Sequence, residues 1–98
     1  MFENIFHEFS RMKGEGRIVL FGSHQKGNAR FDSDIDIAVI SDDPGFIKRA
    51  EDVADKILFD YGRTVSVIRF SRVEFSHGQE PISKEIKKGR TLYEGDGH

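Results

Sequence analysis

The chain has no cysteine and no tryptophan. Without cysteine there is no disulfide and no thiolate metal site, and the composition fits a reducing interior. No apolar run approaches the ~20 residues of a membrane-spanning helix. The opening Met1-Phe2-Glu3-Asn4 has neither the basic start nor the apolar core of a signal peptide. The expectation is therefore a cytoplasmic protein with no membrane association. Neither sign of charge dominates: 15 Lys and Arg stand against 17 Asp and Glu, for a net charge of −2. Bulk electrostatics do not draw such a surface to nucleic acid, which is not expected as a direct ligand. Internal repeats and low-complexity stretches are also missing.

What the chain does have is enough for one modest core. Its 98 residues predict a single domain over 1–94, with 95–98 as a loose tail. Apolar residues make up 37% and charged residues 33%, so nine Phe must carry much of the core volume. Phe2, Ile5, Phe6, Phe9 and Met12 recur at helical spacing, and Gly14 and Gly16 end that helix. Ile18 to Phe21 reads as a buried strand and Asp34 to Ile40 as a second, with a polar loop between. Asp43 is placed to cap a helix of about four turns that ends at Gly62. Thr64 to Phe70 alternates as a third strand. Arg72 to Gln79 reads as a loop, Pro81 to Lys88 as a short helix, and Thr91 to Tyr93 as a short last strand. The order α-β-β-α-β-α-(β) predicts an α+β (α/β) fold: a small mixed β-sheet with helices packed mainly on one face.

One run carries chemistry. Gly22-Ser23 leaves the first strand, ten residues follow, and Asp34-Ile35-Asp36 opens the second. Strand side chains alternate faces, so Asp34 and Asp36 point the same way, about 7 Å apart from twice the ~3.3 Å rise. Like charges so placed repel unless a cation sits between them, and oxygen ligands suit Mg²⁺. Gly22 lacks a Cβ, so its backbone can approach a ligand closely. Ser23 offers a hydroxyl, and neighbouring N–H groups can face a phosphate. Other polar residues of the run, namely His24, Lys26, Arg30, Asp32 and Ser33, are read as loop residues first. His7, His77 and His98 are too scattered for a metal cluster. The basic-aromatic run Arg69-Phe70-Ser71-Arg72 is a weak single-strand-binding signal.

The full pattern Gly-Ser-x3-Gly-x5-Ser-Asp-Ile-Asp, at Gly22, Ser23, Gly27, Ser33, Asp34, Ile35 and Asp36, resembles the signature of the DNA polymerase β-like nucleotidyltransferase superfamily. The short chain is similar to its minimal nucleotidyltransferase branch, of the MntA antitoxin type. The resemblance implies a nucleotidyltransferase fold and transfer of NMP, from ATP or another NTP, to a hydroxyl. It implies Asp34 and Asp36 as catalytic metal ligands, with Gly22 and Ser23 on the phosphates. Family members use two Mg²⁺ ions held by three carboxylates, the third on a neighbouring strand. At the matching position this chain has Ser66, so one ion of the two could be lost. Asp60 and Glu74 flank that strand, but a one-residue slip in register turns a side chain to the other face.

The resemblance further implies the antitoxin half of a toxin–antitoxin pair, with a small helical HEPN-domain protein as partner and AMP acceptor. Self-association into a homodimer stays open. The alternative is a catalytically impaired module that keeps the fold and neutralises its partner by contact, because Ser66 replaces the third carboxylate. A standalone transferase acting on a small molecule is less economical, since no acceptor domain is present. No residue pattern here selects the base or the acceptor.

Overall fold

The computed structural model describes residues 2–22, 34–77 and 81–96. The elements run α1 (Phe2–Ser10), β1 (Glu15–Phe21), β2 (Ile35–Ile40), α2 (Pro44–Tyr61), β3 (Val65–Phe70), α3 (Arg72–His77), α4 (Pro81–Lys87) and β4 (Arg90–Asp96). The four strands form one mixed sheet in the order β3-β2-β1-β4. β1 pairs antiparallel with β2 and with β4, while β2 and β3 run parallel. This is the α+β arrangement expected of a small nucleotidyltransferase fold.

Alternation along the central strands builds two cores. Ile18 and Leu20 of β1 join Ile35, Ile37 and Val39 of β2 on one face, under α1 and α2. Val19, Phe21, Ala38 and Ile40 turn to the other face, with Phe75 of α3 and Ile86 of α4. The two longer helices take the first face, as expected. On the second face the short helices contribute Phe75 and Ile86 to the buried cluster.

Helix α2 is the best-specified element. Asp43 precedes it in extended conformation, and its carboxylate accepts a hydrogen bond from the Gly45 N–H at 2.9 Å. Pro44 occupies the first turn, where a missing N–H costs nothing. Phe46, Ala50, Ala54 and Ile57 form the buried stripe. Gly62 ends the helix at φ 67°, and its N–H donates to the Leu58 carbonyl at 3.0 Å. The Lys56–Glu8 ion pair at 2.8 Å ties α2 to α1.

Three stretches differ from expectation. Residues 72–77 form helix α3 rather than a loop. The Ser71 N–H donates to Glu74 Oε1 at 2.9 Å, and the Glu74 N–H donates to Ser71 Oγ at 3.1 Å, a reciprocal capping box. β1 begins at Glu15, so Gly16 belongs to a strand and not to the end of α1. The space where a Gly16 side chain would stand is filled by the Phe46 ring. β4 continues past Tyr93, pairing Gly95 with Gly16 and Asp96 with Glu15, so the strand extends into the segment expected as a tail.

Candidate active site

The sheet brings the ends of three strands together. Asp36 is the second residue of β2, and Asp34 is exposed just before that strand. In the antiparallel β1–β2 ladder Asp36 stands opposite Phe21. In the parallel β2–β3 ladder it stands opposite Ser66. Register partners point to the same face, so the Asp36 carboxylate and the Ser66 hydroxyl lie side by side. Ile35 and Ile37, fully buried beneath the opposite face, fix that orientation. A slip of one residue would put the isoleucines in water and the carboxylate in the core.

Gly22 closes the third side. It follows β1 directly and has φ 80°, in the left-handed region. A Cβ built there would lie 2.5 Å from Asp36 Oδ2. The Gly22 backbone is therefore packed directly against the carboxylate, and only glycine fits both the dihedral and the contact. Across the strand end, the Ile35 N–H donates to the Thr64 carbonyl at 2.9 Å and holds β3 in place beside Asp34. The result is a notch with a half-buried carboxylate, an exposed one, an exposed hydroxyl and a side-chain-free backbone corner.

This donor set suits a divalent cation with oxygen ligands, and the absence of a Gly22 side chain lets the Asp36 carboxylate lie against the backbone corner. Among the described residues the set supplies two carboxylates. Among the described residues no group of three or more His, Cys, Asp or Glu stands together. Neither flanking acid completes the set. Glu74 is engaged in the α3 capping box, where the backbone hydrogen bond from Ser71 holds its carboxyl below the usual range. Asp60 is exposed on α2, which packs against the face opposite Asp36. Ser23, expected on the phosphates, lies outside the described residues, as do His24, Lys26, Gly27, Arg30, Asp32 and Ser33.

Other sequence candidates have structural duties. Arg69 pairs with Glu51 at 3.8 Å and Arg72 with Glu15 at 3.0 Å. Phe70 meets Phe75 edge-on with centroids 6.1 Å apart. The members of the basic-aromatic run thus have partners within the chain, while the Arg69 side chain stays 62% accessible. His7 and His77 are exposed on separate helices. A hollow of about 280 Å³ between Arg17, Arg72 and Phe75 opens on the far end of the sheet, without contact to Asp34 or Asp36. The feature that sequence reasoning missed is the exposed Phe59, 90% accessible on the outer side of α2.

Comparison with known proteins points one way. A family model described as "Polymerase beta, Nucleotidyltransferase" matches residues 3–98. A crystal structure of a toxin–antitoxin with AMP-PNP superposes with TM-score 0.61 at 25% identity, covering 97% of this chain and 75% of that one. A crystal structure of the toxin–antitoxin MntA–HpeT, in a form with two aspartates changed to glutamate, gives TM-score 0.58 at 23% identity over 92% of this chain and 68% of that one. No curated protein sequence matches the chain.

Proposed function

The chain belongs to the polymerase beta nucleotidyltransferase family, and on that premise we propose that it binds Mg²⁺-ATP at the β1–β2–β3 strand ends and transfers AMP to a hydroxyl of a toxin partner. The observation that carries this reading is the packing of Gly22 against Asp36, with Asp34 two residues before it and Ser66 alongside. A structural corner that a side chain would fill, next to paired carboxylates, has little use in a merely structural strand end.

In this role Asp34 and Asp36 hold the metal, and Ser23 donates its hydroxyl to a phosphate oxygen. Gly22 keeps the turn low enough for the triphosphate to lie against backbone. Mg²⁺ held by Asp34 and Asp36 would supply charge neutralisation for the triphosphate and polarise the phosphorus under attack. The acceptor oxygen attacks the α-phosphorus, pyrophosphate leaves, and the acceptor proton passes to solvent at the open notch. The chain's own contribution is alignment and charge placement. The similar toxin–antitoxin structure with AMP-PNP supports a nucleotide and a protein partner. A small helical HEPN-domain chain is the partner this reading names.

One observation favours a second reading. The β2–β3 register sets Ser66, a neutral hydroxyl, at Asp36, and β3 carries no acid anywhere in its length. A module that binds nucleotide through two carboxylates and inhibits its partner by contact fits that deficit. Titration calorimetry of ATP, with Mg²⁺ and then with EDTA, tests the shared part. Magnesium-dependent binding that Asp34→Asn abolishes is expected; unchanged affinity in that variant would sink the metal assignment. Labelled AMP transfer to a co-purified partner then separates the two readings.

A further inference from the structure

β3 is an edge strand: β2 occupies one side, and among the described residues nothing pairs with the other. The Thr64 carbonyl accepts from the Ile35 N–H and the Phe70 carbonyl from the N–H of Ser41, just past the end of β2. In a parallel ladder the residues of that parity use both backbone groups on one neighbour, so Val65, Val67 and Arg69 turn their N–H and C=O groups outward. Natural edges are usually blunted by proline, a bulge or inward charge. The sequence Val65-Ser66-Val67-Ile68-Arg69-Phe70 has no proline, no glycine and one charge, and its pairing with β2 runs without a register shift. It is an open template.

The surface along this edge is of two kinds. Arg69 stands near its C-terminal end, with its side chain 62% accessible. The end of α2 runs down to its N-terminal end, where Leu58 is 51% and Tyr61 39% accessible, beside the acids Asp55 and Asp60. Glu51 of α2 reaches Arg69, which shows that this flank of the helix overhangs the β3 edge. One turn and two turns further on, at i+4 and i+7, come Asp55 and Leu58. An apolar and acidic end thus lies at one side, and the other presents the half-exposed Arg69 with Glu51 as its partner in its own chain.

We propose that β3 pairs with β3 of a second copy of this chain, antiparallel about Val67, to give one continuous sheet through a two-fold dimer. A two-fold antiparallel pairing sets each end of the strand against the opposite end of its copy. Val67 meets Val67, and Val65 meets Arg69 across the axis. Each Arg69 then approaches the Asp55 and Leu58 flank of the other molecule. Charge, apolar surface and unused backbone groups are all matched by the same operation, which a foreign strand would have to supply separately. Ser66 falls opposite Ile68 of the second copy, so the pairing leaves the carboxylates on their own strand.

Light scattering coupled to gel filtration, on the full chain across a dilution series, tests this. The expected mass is twice 11.2 kDa, falling toward one copy on dilution. Arg69→Glu should raise the dimer dissociation constant about tenfold or more, and Asp55→Lys added to it should restore much of the loss. Circular dichroism of each variant shows whether the fold is intact. A folded wild-type chain that stays monomeric at every concentration would overturn the proposal. So would a dimer indifferent to Arg69→Glu, or a monomer that uses this edge only for a different protein. Calorimetric ATP binding is read separately, so failure of the dimer and failure of the nucleotide site are distinguishable.

Discussion

Replacing Gly22 with alanine perturbs the candidate site at one known contact. Two effects should appear, and they can be told apart. The first is backbone strain: an L-residue in the left-handed region loses roughly 1–2 kcal/mol. For a domain of this size each kcal/mol lowers Tm by roughly 4–8 °C, so a fall on the order of 5–15 °C is expected. The second is local. The new Cβ would sit 2.5 Å from Asp36 Oδ2, against an ordinary contact of at least 3.4 Å, so 3.4 − 2.5 = 0.9 Å must be recovered. The oxygen is the mobile partner, because the glycine is tied into the end of β1. Metal–oxygen distances tolerate only about ±0.2 Å, so a shift of this size removes a ligand. Magnesium-dependent ATP affinity should fall at least about tenfold, or ~1.4 kcal/mol. Gly62→Ala supplies the control: it has φ +67° and nothing within 4 Å of its Cβ position. It should melt early and still bind ATP normally. Calorimetry and a thermal melt on the three proteins suffice. Wild-type ATP affinity in Gly22→Ala, or an equal loss in Gly62→Ala, would refute the reasoning.

The remaining expectations concern the third position, the core and the pH response. Ser66→Asp places a carboxylate beside Asp36 in the observed register and should raise AMP transfer to the partner while leaving the circular dichroism spectrum unchanged. Equal, measurable transfer in both forms would move the third ligand elsewhere. Gly16→Ala drives a methyl into the Phe46 ring, and an overpacked core of this kind should lose about 1–3 kcal/mol in a urea melt. Glu74 and Glu8 are both held below the ordinary 4.5, by the Ser71 backbone hydrogen bond and the Lys56 hydrogen bond respectively. A depressed folded pKa stabilises above the unfolded value and loses that contribution as pH falls through the folded one. The urea midpoint should therefore decline as pH drops below about 4.5, and Glu8→Gln with Glu74→Gln should flatten that decline.

Much of this was readable from residues alone, for physical reasons that differ by element. Helix α2 carried its own start and stop signals, Asp43 and Gly62, around a clean apolar period, and both act as read. The outward facing of Asp36 followed from strand alternation with Ile35 and Ile37 inside, whereas the place of Ser66 beside it was implied by the family resemblance and is the register the sheet shows. Helix α3 was missed because six residues are too few for a hydrophobic period to show, yet Ser71-Arg72-Val73-Glu74 spells a capping box that could have revealed it. Gly16 was misplaced for the opposite reason. Two glycines so close together look like a helix end, and only the Phe46 ring from a distant helix explains why a strand needs one. The same limit applies to Phe59, since exposure of a phenylalanine depends on what does not pack against it.

Strand order also fixes how the notch responds to thermal opening. β1 and β2 are the two interior strands, paired on both sides, whereas β3 is held by a single ladder. Amide hydrogens of Ile35 to Ile40 should be among the last to exchange with deuterium, and the β3 amides that bond only to β2 should exchange through smaller openings. Asp36 is therefore mounted on an interior strand expected to open late, and Ser66 on a strand that can release without it. A partner that grips β3 would change the lifetime of one wall of the notch and leave the other where it was.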